Sequence, residues 1–349
     1  MSVFSAPDYD DHEEVMFIRE PGVGLRAIVA IHNTRRGPAL GGVRMRPYAS
    51  EAEALRDVLR LSRGMTYKAA TLGVNLGGGK SVVFGDPRAD KTPEMFQALG
   101  RRIAQLGERY IAGEDIGTNP LDMREIRVNT RCVSCLLTED GGYGDPAPLT
   151  ALGVFSAIRA GLLYARDSDE LSGLRVAVQG VGNVGFNLCR LLREAGGELT
   201  VCDAYADSAR KAAEAFDCTV VEPEAIYDVD ADVFAPCAVG AVLNDDSVAR
   251  LKVSVVAGAA NNQLEAGAHA RALADRGIVY LPDYVANGGG LISCAAEWYK
   301  VDPADLEDQV RGIYDTCRDI LKRADETGVT TQQAADAIAE ARFKDGPAG

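Results

Sequence analysis

The sequence predicts a two-domain α/β protein whose second half is a doubly wound parallel sheet. Three observations carry that reading. The chain has 349 residues, too many for one ordinary domain. Beyond residue 170 short apolar strands alternate with helical segments, the pattern of βαβ units feeding a parallel sheet. Between the halves lies Gly141-Gly-Tyr-Gly-Asp-Pro146, a Gly/Pro-rich stretch suited to a hinge. The expected division is residues 1–146 and 147–324, with a C-terminal helix at about 325–349 returning to the first domain and a cleft between the two.

Taken in order, residues 24–31 (GLRAIVAI) and 40–47 (LGGVRMRP) read as strands separated by turn residues. Residues 50–64 predict a helix: Ser50 suits the N-cap, Glu53 stands three residues later, and Gly64 is expected to stop it. Residues 81–84 (SVVF) predict a strand, and 92–108 a helix opened by Thr-Pro. In the second half, 149–165 predict an apolar helix, Leu174–Gln179 a strand, FNLCRLLREAG a helix and Glu198–Asp203 the next strand. The helices after Pro303 are amphipathic and charged.

Composition excludes several functions. A net charge of −14 and a pI near 4.8 argue against nucleic acid or membrane as partner, since both select basic surfaces. The start MSVFSAPDYDDHEE is acidic and has no apolar stretch, so no signal peptide is expected. No run of roughly 18 apolar residues is present to span a bilayer, and the expected location is cytoplasmic. The eight cysteines are scattered and read as reduced thiols. Cys132 and Cys135 have C-x-x-C spacing but no second ligand pair follows, so no metal is expected. None of the three histidines, His12, His32 and His269, stands in a catalytic motif. Acid–base chemistry must fall mainly to Lys, Asp or Glu.

Gly180-Val181-Gly182-Asn183-Val184-Gly185 follows a strand and opens a helix, the setting in which G-x-G-x-x-G binds a dinucleotide. Gly180 permits the tight turn, Gly182 lets the backbone approach a pyrophosphate, and Gly185 allows close helix–strand packing. The helix N-terminus offers free N–H groups to the phosphates. Asp203 ends the next strand, where an acid binds ribose hydroxyls and repels a 2′-phosphate. No arginine stands among Ala204, Tyr205 and Ala206, which favours NAD over NADP.

In the first half, three segments gather chemistry: Gly64-Met-Thr-Tyr-Lys68, Asn75-Leu-Gly-Gly-Gly-Lys80-Ser and Ala112-Gly-Glu-Asp115-Ile-Gly-Thr-Asn119. A triple glycine before Lys80 suggests a tight backbone path that aims the lysine inward, with Lys68 across a turn. Either lysine alone reads as a surface charge, yet LGVNLGGGKSVVF is not a solvated face.

With these segments on view, the chain resembles the glutamate/leucine/phenylalanine/valine dehydrogenase family, in its leucine and phenylalanine branch. The resemblance rests on GMTYKAATLGVNLGGGKSVVFGDPR, GEDIGTN, GDPAPLTALGV, VAVQGVGNVG, DVFAPCAVGAVL, VVAGAANN and PDYVANGGG. Some of these, with the tail GVTTQQAADAIAEAR, look closest to phenylalanine dehydrogenases. The resemblance implies a substrate-binding and oligomerisation domain followed by a Rossmann NAD-binding domain. It implies reversible oxidative deamination of an apolar L-amino acid to the 2-oxo acid and ammonia, by a homo-oligomer. Lys80 would be the general base and Asp115 a proton relay. Lys68 would hold the substrate carboxylate, and Asn262 would contact the substrate. Thr150 would bond the nicotinamide carboxamide, with Ala238, Ala259 and Asn261 also at the cofactor. The implied substrate wall carries Leu40, Gly41, Met65, Gly113, Ser134, Leu291 and Cys294, with no cation for an acidic side chain. Glycine at 113 suggests a pocket enlarged for phenylalanine or another aromatic substrate, whereas Cys294 fits neither the phenylalanine nor the leucine pattern. A branched-chain enzyme, a specialised biosynthetic dehydrogenase and a non-enzymatic NAD-binding regulator are the alternatives. The joint presence of Lys68, Lys80 and Asp115 weighs against the last.

Overall fold

The computed structural model describes residues 3–345; residues 346–349, expected at the end of the first domain's C-terminal helix, lie outside the described residues. The chain forms two compact units. One comprises the chain through Asp145, Ser293–Pro303 and the segment from Ile338 onward, the other Pro146–Ile292 and Ala304–Ala337.

The first unit contains β1 (Glu14–Glu20), β2 (Leu25–Asn33), β3 (Ala39–Arg46), α1 (Glu51–Thr71), β4 (Gly77–Phe84), α2 (Pro93–Ala104), β5 (Tyr110–Glu114) and α3 (Pro120–Arg127). Its sheet has the order β1-β2-β4-β3-β5. The first three strands are antiparallel neighbours, and β3 runs parallel to both β4 and β5. Side chains of β2 alternate between two cores, as a pleated strand requires. Ile28 and Ala30 meet Ala54, Leu55, Val58 and Leu59 of α1. Val29 and Ile31 join Met95, Phe96, Leu99 and Ile103 of α2 on the other face.

Four elements differ from the sequence expectation. Strand β1 was not expected; it pairs with β2 across a three-residue turn, Pro21–Val23. Helix α1 passes Gly64 and ends at Thr71, because Ser62, Thr66, Tyr67, Ala69 and Ala70 continue its buried face. Ser50 does cap it, accepting the Glu53 N–H. Lys68 therefore stands in the last turn of a helix. The three glycines before Lys80 belong to strand β4 rather than to a loop, and α2 ends at Ala104, short of residue 108.

The second unit begins with α4 (Ala147–Arg166), β6 (Arg175–Gln179), α5 (Asn183–Glu194), β7 (Glu198–Cys202), α6 (Ala206–Phe216) and β8 (Thr219–Val220). There follow β9 (Val233–Pro236), α7 (Asp245–Arg250), β10 (Val255–Val256), α8 (Ala268–Asp275), β11 (Val279–Tyr280) and α9 (Asp283–Ala286). The chain ends with α10 (Gly289–Tyr299), α11 (Pro303–Arg311), α12 (Ile313–Thr327) and α13 (Thr331–Asp345). The sheet order is β8-β7-β6-β9-β10-β11, parallel throughout. That is the doubly wound order, with its switch point between β6 and β9. Helix α4 is long and apolar enough to cross a membrane, but 67% of its apolar stretch is buried. It packs against α5 and α12 as a core helix.

The C-terminal boundary falls elsewhere than residue 325. Thr331 Oγ1 donates to the Tyr280 carbonyl and the Tyr284 hydroxyl to Asp336, which ties that stretch to the second unit. From Ile338 the chain belongs to the first unit, where the Phe343 ring meets Tyr67 at 5.4 Å. Ser293–Pro303 joins the first unit as well, through Cys294, Glu297 and Tyr299.

Candidate active site

Lys80 sits on β4, only 4% exposed. Its Nζ donates to Asp115 Oδ1 at 2.7 Å. The other carboxylate oxygen accepts Arg44 Nε at 2.6 Å. Arg44 lies on β3 and is held from α1 by Asp57 at 3.3 Å, while Asp57 accepts the Tyr48 hydroxyl at 2.8 Å. Thr118 Oγ1 accepts the Asp115 N–H and donates to the Val43 carbonyl, which fixes the turn after β5. Burial alone would raise the Asp115 pKa, but the two cations outweigh it and hold the carboxyl below its ordinary range. The next carboxyl along, Glu114, is pushed up by burial and by Asp145 and Asp115.

Strand register explains why these groups meet. Gly42 pairs with Gly113 across β3 and β5, and Leu40 stands beside Gly78 of β4. A Cβ at Gly42 would lie 2.7 Å from the Asp115 Cβ and 3.2 Å from Lys80 Nζ, so only glycine lets the pair sit this close to β3. At Gly78 a Cβ would lie 2.1 Å from the Thr66 nitrogen of α1. The triple glycine thus serves close packing of helix on strand, not a left-handed turn; none of the three has a positive φ.

Several expected wall residues gather in this unit. Gly41 is buried between β4 and β5; the Tyr110 hydroxyl donates to its carbonyl at 2.8 Å. A Cβ at Gly113 would touch Cys135 Sγ at 3.1 Å. Ser134 Oγ donates to the Cys294 carbonyl at 2.9 Å rather than standing free for a polar substrate tip. Lys68 and Met65 are half-buried on α1. Asn262 and Leu291 belong to the second unit.

In that second unit Gly180 adopts φ +92°, where a side chain would be strained, and a Cβ there would strike Ala238 at 2.6 Å. A Cβ at Gly185 would lie 2.0 Å from the Gly180 carbonyl oxygen, while Gly182 faces open space. Helix α5 starts with no side-chain cap and no acid in its first turn, so its N–H groups are available to an anion. Asp203 accepts the N–H groups of Val181 and Tyr205, each at 2.8 Å, and so braces the glycine turn. These residues fit a dinucleotide. Asn183 and Val184 open the helix beside the turn. Thr150 Oγ1 donates to the Pro146 carbonyl at 2.9 Å. Asn287 Nδ2 bridges the Ala259 carbonyl and Asn261 Oδ1 at 3.0 and 2.7 Å. Asn262 holds a left-handed φ of 54°, a conformation that asparagine tolerates better than most residues.

Sequence reasoning missed Arg44, Thr118 and Asn287. Arg44 had a signal: it stands two residues after Gly42, on the same face of an expected strand.

A doubly wound sheet with this glycine turn, in one chain with a buried lysine–carboxylate pair, has the parts of a dinucleotide-dependent dehydrogenase. Comparison with known proteins agrees. The profile of the "Glu/Leu/Phe/Val dehydrogenase, dimerisation domain" matches residues 12–131. The "Glutamate/Leucine/Phenylalanine/Valine dehydrogenase" profile matches residues 141–209 and 201–345. The chain is 46% identical to leucine dehydrogenase of Bacillus subtilis (strain 168) over 99% of its length and 94% of the relative's. It is 44% identical to phenylalanine dehydrogenase of Caldalkalibacillus thermarum (strain TA2.A1), over the same shares. The crystal structure of L-tryptophan dehydrogenase from Nostoc punctiforme superposes with a TM-score of 0.85 at 45% identity, covering 96% of each chain. The protein belongs to the Glu/Leu/Phe/Val dehydrogenase family. It is an amino-acid dehydrogenase acting on the CH–NH2 group, with an NAD(P)-type cofactor.

Proposed function

We propose that this enzyme oxidatively deaminates an apolar L-amino acid with NAD, phenylalanine or another aromatic residue being the preferred substrate. The observation that carries the reading is the buried Lys80–Asp115 pair, packed against Gly42. A dinucleotide held at the Gly180 turn would supply the hydride acceptor for the substrate Cα. Lys68 holds the α-carboxylate. Lys80 takes a proton from the water that adds to the resulting iminium carbon, and Asp115, 2.7 Å away, exchanges that proton with it. Collapse of the carbinolamine yields the 2-oxo acid and ammonia. Leu40, Gly41, Met65, Gly113, Ser134, Leu291 and Cys294 carry no charge, which disfavours an acidic substrate side chain. Asn262 contacts the substrate. Gly180, Val181, Gly182, Asn183, Val184 and Gly185 hold the dinucleotide, with Thr150, Ala238, Ala259 and Asn261.

The preference for NAD rests on Asp203, whose carboxylate would repel a 2′-phosphate. The aromatic preference rests on Gly113, which has no Cβ. A branched-chain substrate is the second reading, favoured by the leucine dehydrogenase relatives at 46% identity. Assembly as a homo-oligomer through the first domain draws support from the dimerisation-domain profile. The eight cysteines, all free thiols, suit a reducing, cytoplasmic setting.

A screen of the twenty L-amino acids with NAD and with NADP, followed by reduced-cofactor absorbance, tests these readings together. The expected result is the highest kcat/KM with phenylalanine, tyrosine or tryptophan and with NAD. Leading activity on leucine or valine would install the second reading, and turnover of none would overturn both.

A further inference from the structure

We propose that Cys135 and Cys294 form a reversible dithiol–disulfide site that modulates the substrate wall of the first unit. Their sulfurs stand 2.7 Å apart, against about 2.05 Å for an S–S bond, so bond formation requires little movement.

The C-x-x-C spacing in the sequence points to a different pair. Cys132 Sγ donates to the Gly107 carbonyl at 3.5 Å instead. The loop after α3 and helix α10 bring Cys135 to Cys294, 159 residues away in sequence. Both backbones are held. Glu297, one turn along α10 from Cys294, accepts the Cys135 N–H at 3.2 Å and the Leu136 N–H at 3.3 Å. Ser134 Oγ clamps the Cys294 carbonyl at 2.9 Å, and the Ser134 N–H donates to Ala112 of β5 at 2.8 Å. Cys135 itself adopts φ 63°, a left-handed conformation that costs a residue with a Cβ and persists only where its surroundings enforce it. Packing alone gives no reason to hold two thiols this way.

The two cysteines differ in environment, which sets the order of events. Cys294 is half-buried, Cys135 only 9% exposed. The hydrogen bond to Cys294, then burial, keep the Cys135 thiol protonated. Cys294, the more exposed of the two, is the thiol that an external disulfide reaches, and Cys135 is the resolving one. A low-molecular-weight disulfide is the oxidant. Cys294 attacks one sulfur of that disulfide, forms a mixed disulfide and expels one thiolate. Cys135 then attacks Cys294 Sγ, closes the protein disulfide and expels the second thiolate. The two cysteine protons end on the two released thiols, so two cysteines are oxidised as one external disulfide is reduced.

Gly113 lies directly against Cys135 Sγ, and Asp115 follows two residues later on the same segment. Drawing Cys294 onto Cys135 changes the wall beside Gly113. This effect on the substrate rests on the wall assignment made above; formation of the bond does not.

The test equilibrates the purified full-length protein in mixtures of glutathione disulfide and reduced glutathione, traps free thiols by alkylation and maps the peptides. A Cys135–Cys294 cross-linked peptide is expected, lost on reduction with dithiothreitol and absent from Cys135→Ser. The cross-linked enzyme is expected to show a KM for its best amino acid raised about tenfold, restored by reduction. In Cys135→Ser the reaction is expected to stop at a glutathione adduct on Cys294, which has no resolving thiol beside it. In the unsubstituted protein, alkylation of both cysteines at every ratio, or a stable glutathione adduct on Cys294 with no cross-link, would overturn the site. A cross-link that leaves KM unmoved supports the dithiol site but removes the wall assignment.

Discussion

Asp115 is gripped from both sides, and its two partners do different work. Arg44 gives the carboxylate a fixed counter-charge, whereas Lys80 stands beside it with transferable protons. Replacing Lys80 by alanine leaves Arg44 to hold Asp115 in place. Turnover by Lys80→Ala is expected to fall by about a thousandfold, the scale of general base catalysis. Its NAD affinity, measured by fluorescence titration, should stay unchanged, because Gly180 and Asp203 belong to the other unit. A parallel loss of NAD binding would refute the role. On the proposed assignment Lys68→Ala would remove a charge-assisted hydrogen bond to the substrate carboxylate, and KM is expected to rise by about tenfold or more; an unchanged KM would count against carboxylate binding. At this scale Lys80 was legible because an apolar, glycine-rich run around a lysine is not a solvated face. Arg44 left only a faint signal, its place two residues after Gly42, since an arginine in a strand reads as surface charge until β3 is known to lie between β4 and β5.

At the scale of elements, glycine marks two opposite situations in α1 and β4. Gly78 is buried where helix meets strand, and Gly78→Ala would set a Cβ 2.1 Å from the Thr66 backbone nitrogen. Overpacking of that kind costs about 1–3 kcal/mol. Gly64 is exposed in mid-helix with nothing within 4 Å, and an alanine there should stabilise by about 1 kcal/mol. Urea denaturation of both variants is expected to move the midpoint in opposite directions; equal shifts would contradict the packing described. The local signal of Gly64 is the same as that of a true helix stop, which is why α1 ran longer than expected. What kept the helix going was the buried face of Thr66, Tyr67, Ala69 and Ala70, a tertiary effect. Strand β1 escaped notice because its face is only partly buried, so EVMFIRE lacks a full apolar alternation.

At the scale of the whole molecule, acid sensitivity has a named source. His32 is 5% exposed, bonds Thr66 Oγ1 at 2.8 Å and has His12, Asp10 and Arg63 for neighbours. Burial, then the nearby His12, lower its pKa from 6.5 to about 4. The folded protein therefore keeps His32 neutral while the unfolded chain protonates it. The resulting stability is present above pH 6.5 and drains as pH falls toward 4, by up to about 3 kcal/mol. Thermal unfolding from pH 7 to pH 4.5 is expected to show this loss, with a flatter profile for His32→Gln; an identical profile would remove His32 as its cause.

The class of the fold and the glycine turn could be read directly from the chain, because each is written in contiguous residues. A strand followed by G-x-G-x-x-G, a helix and then Asp203 needs no distant partner to be recognised. Only the tertiary structure decided that Asp115 has two cations, that Cys135 meets Cys294 and not Cys132, and that residues 304–337 stay with the parallel sheet. Each of those depends on which strands and helices come to lie side by side. That choice is made by burial summed over whole elements, and no local window of residues contains it.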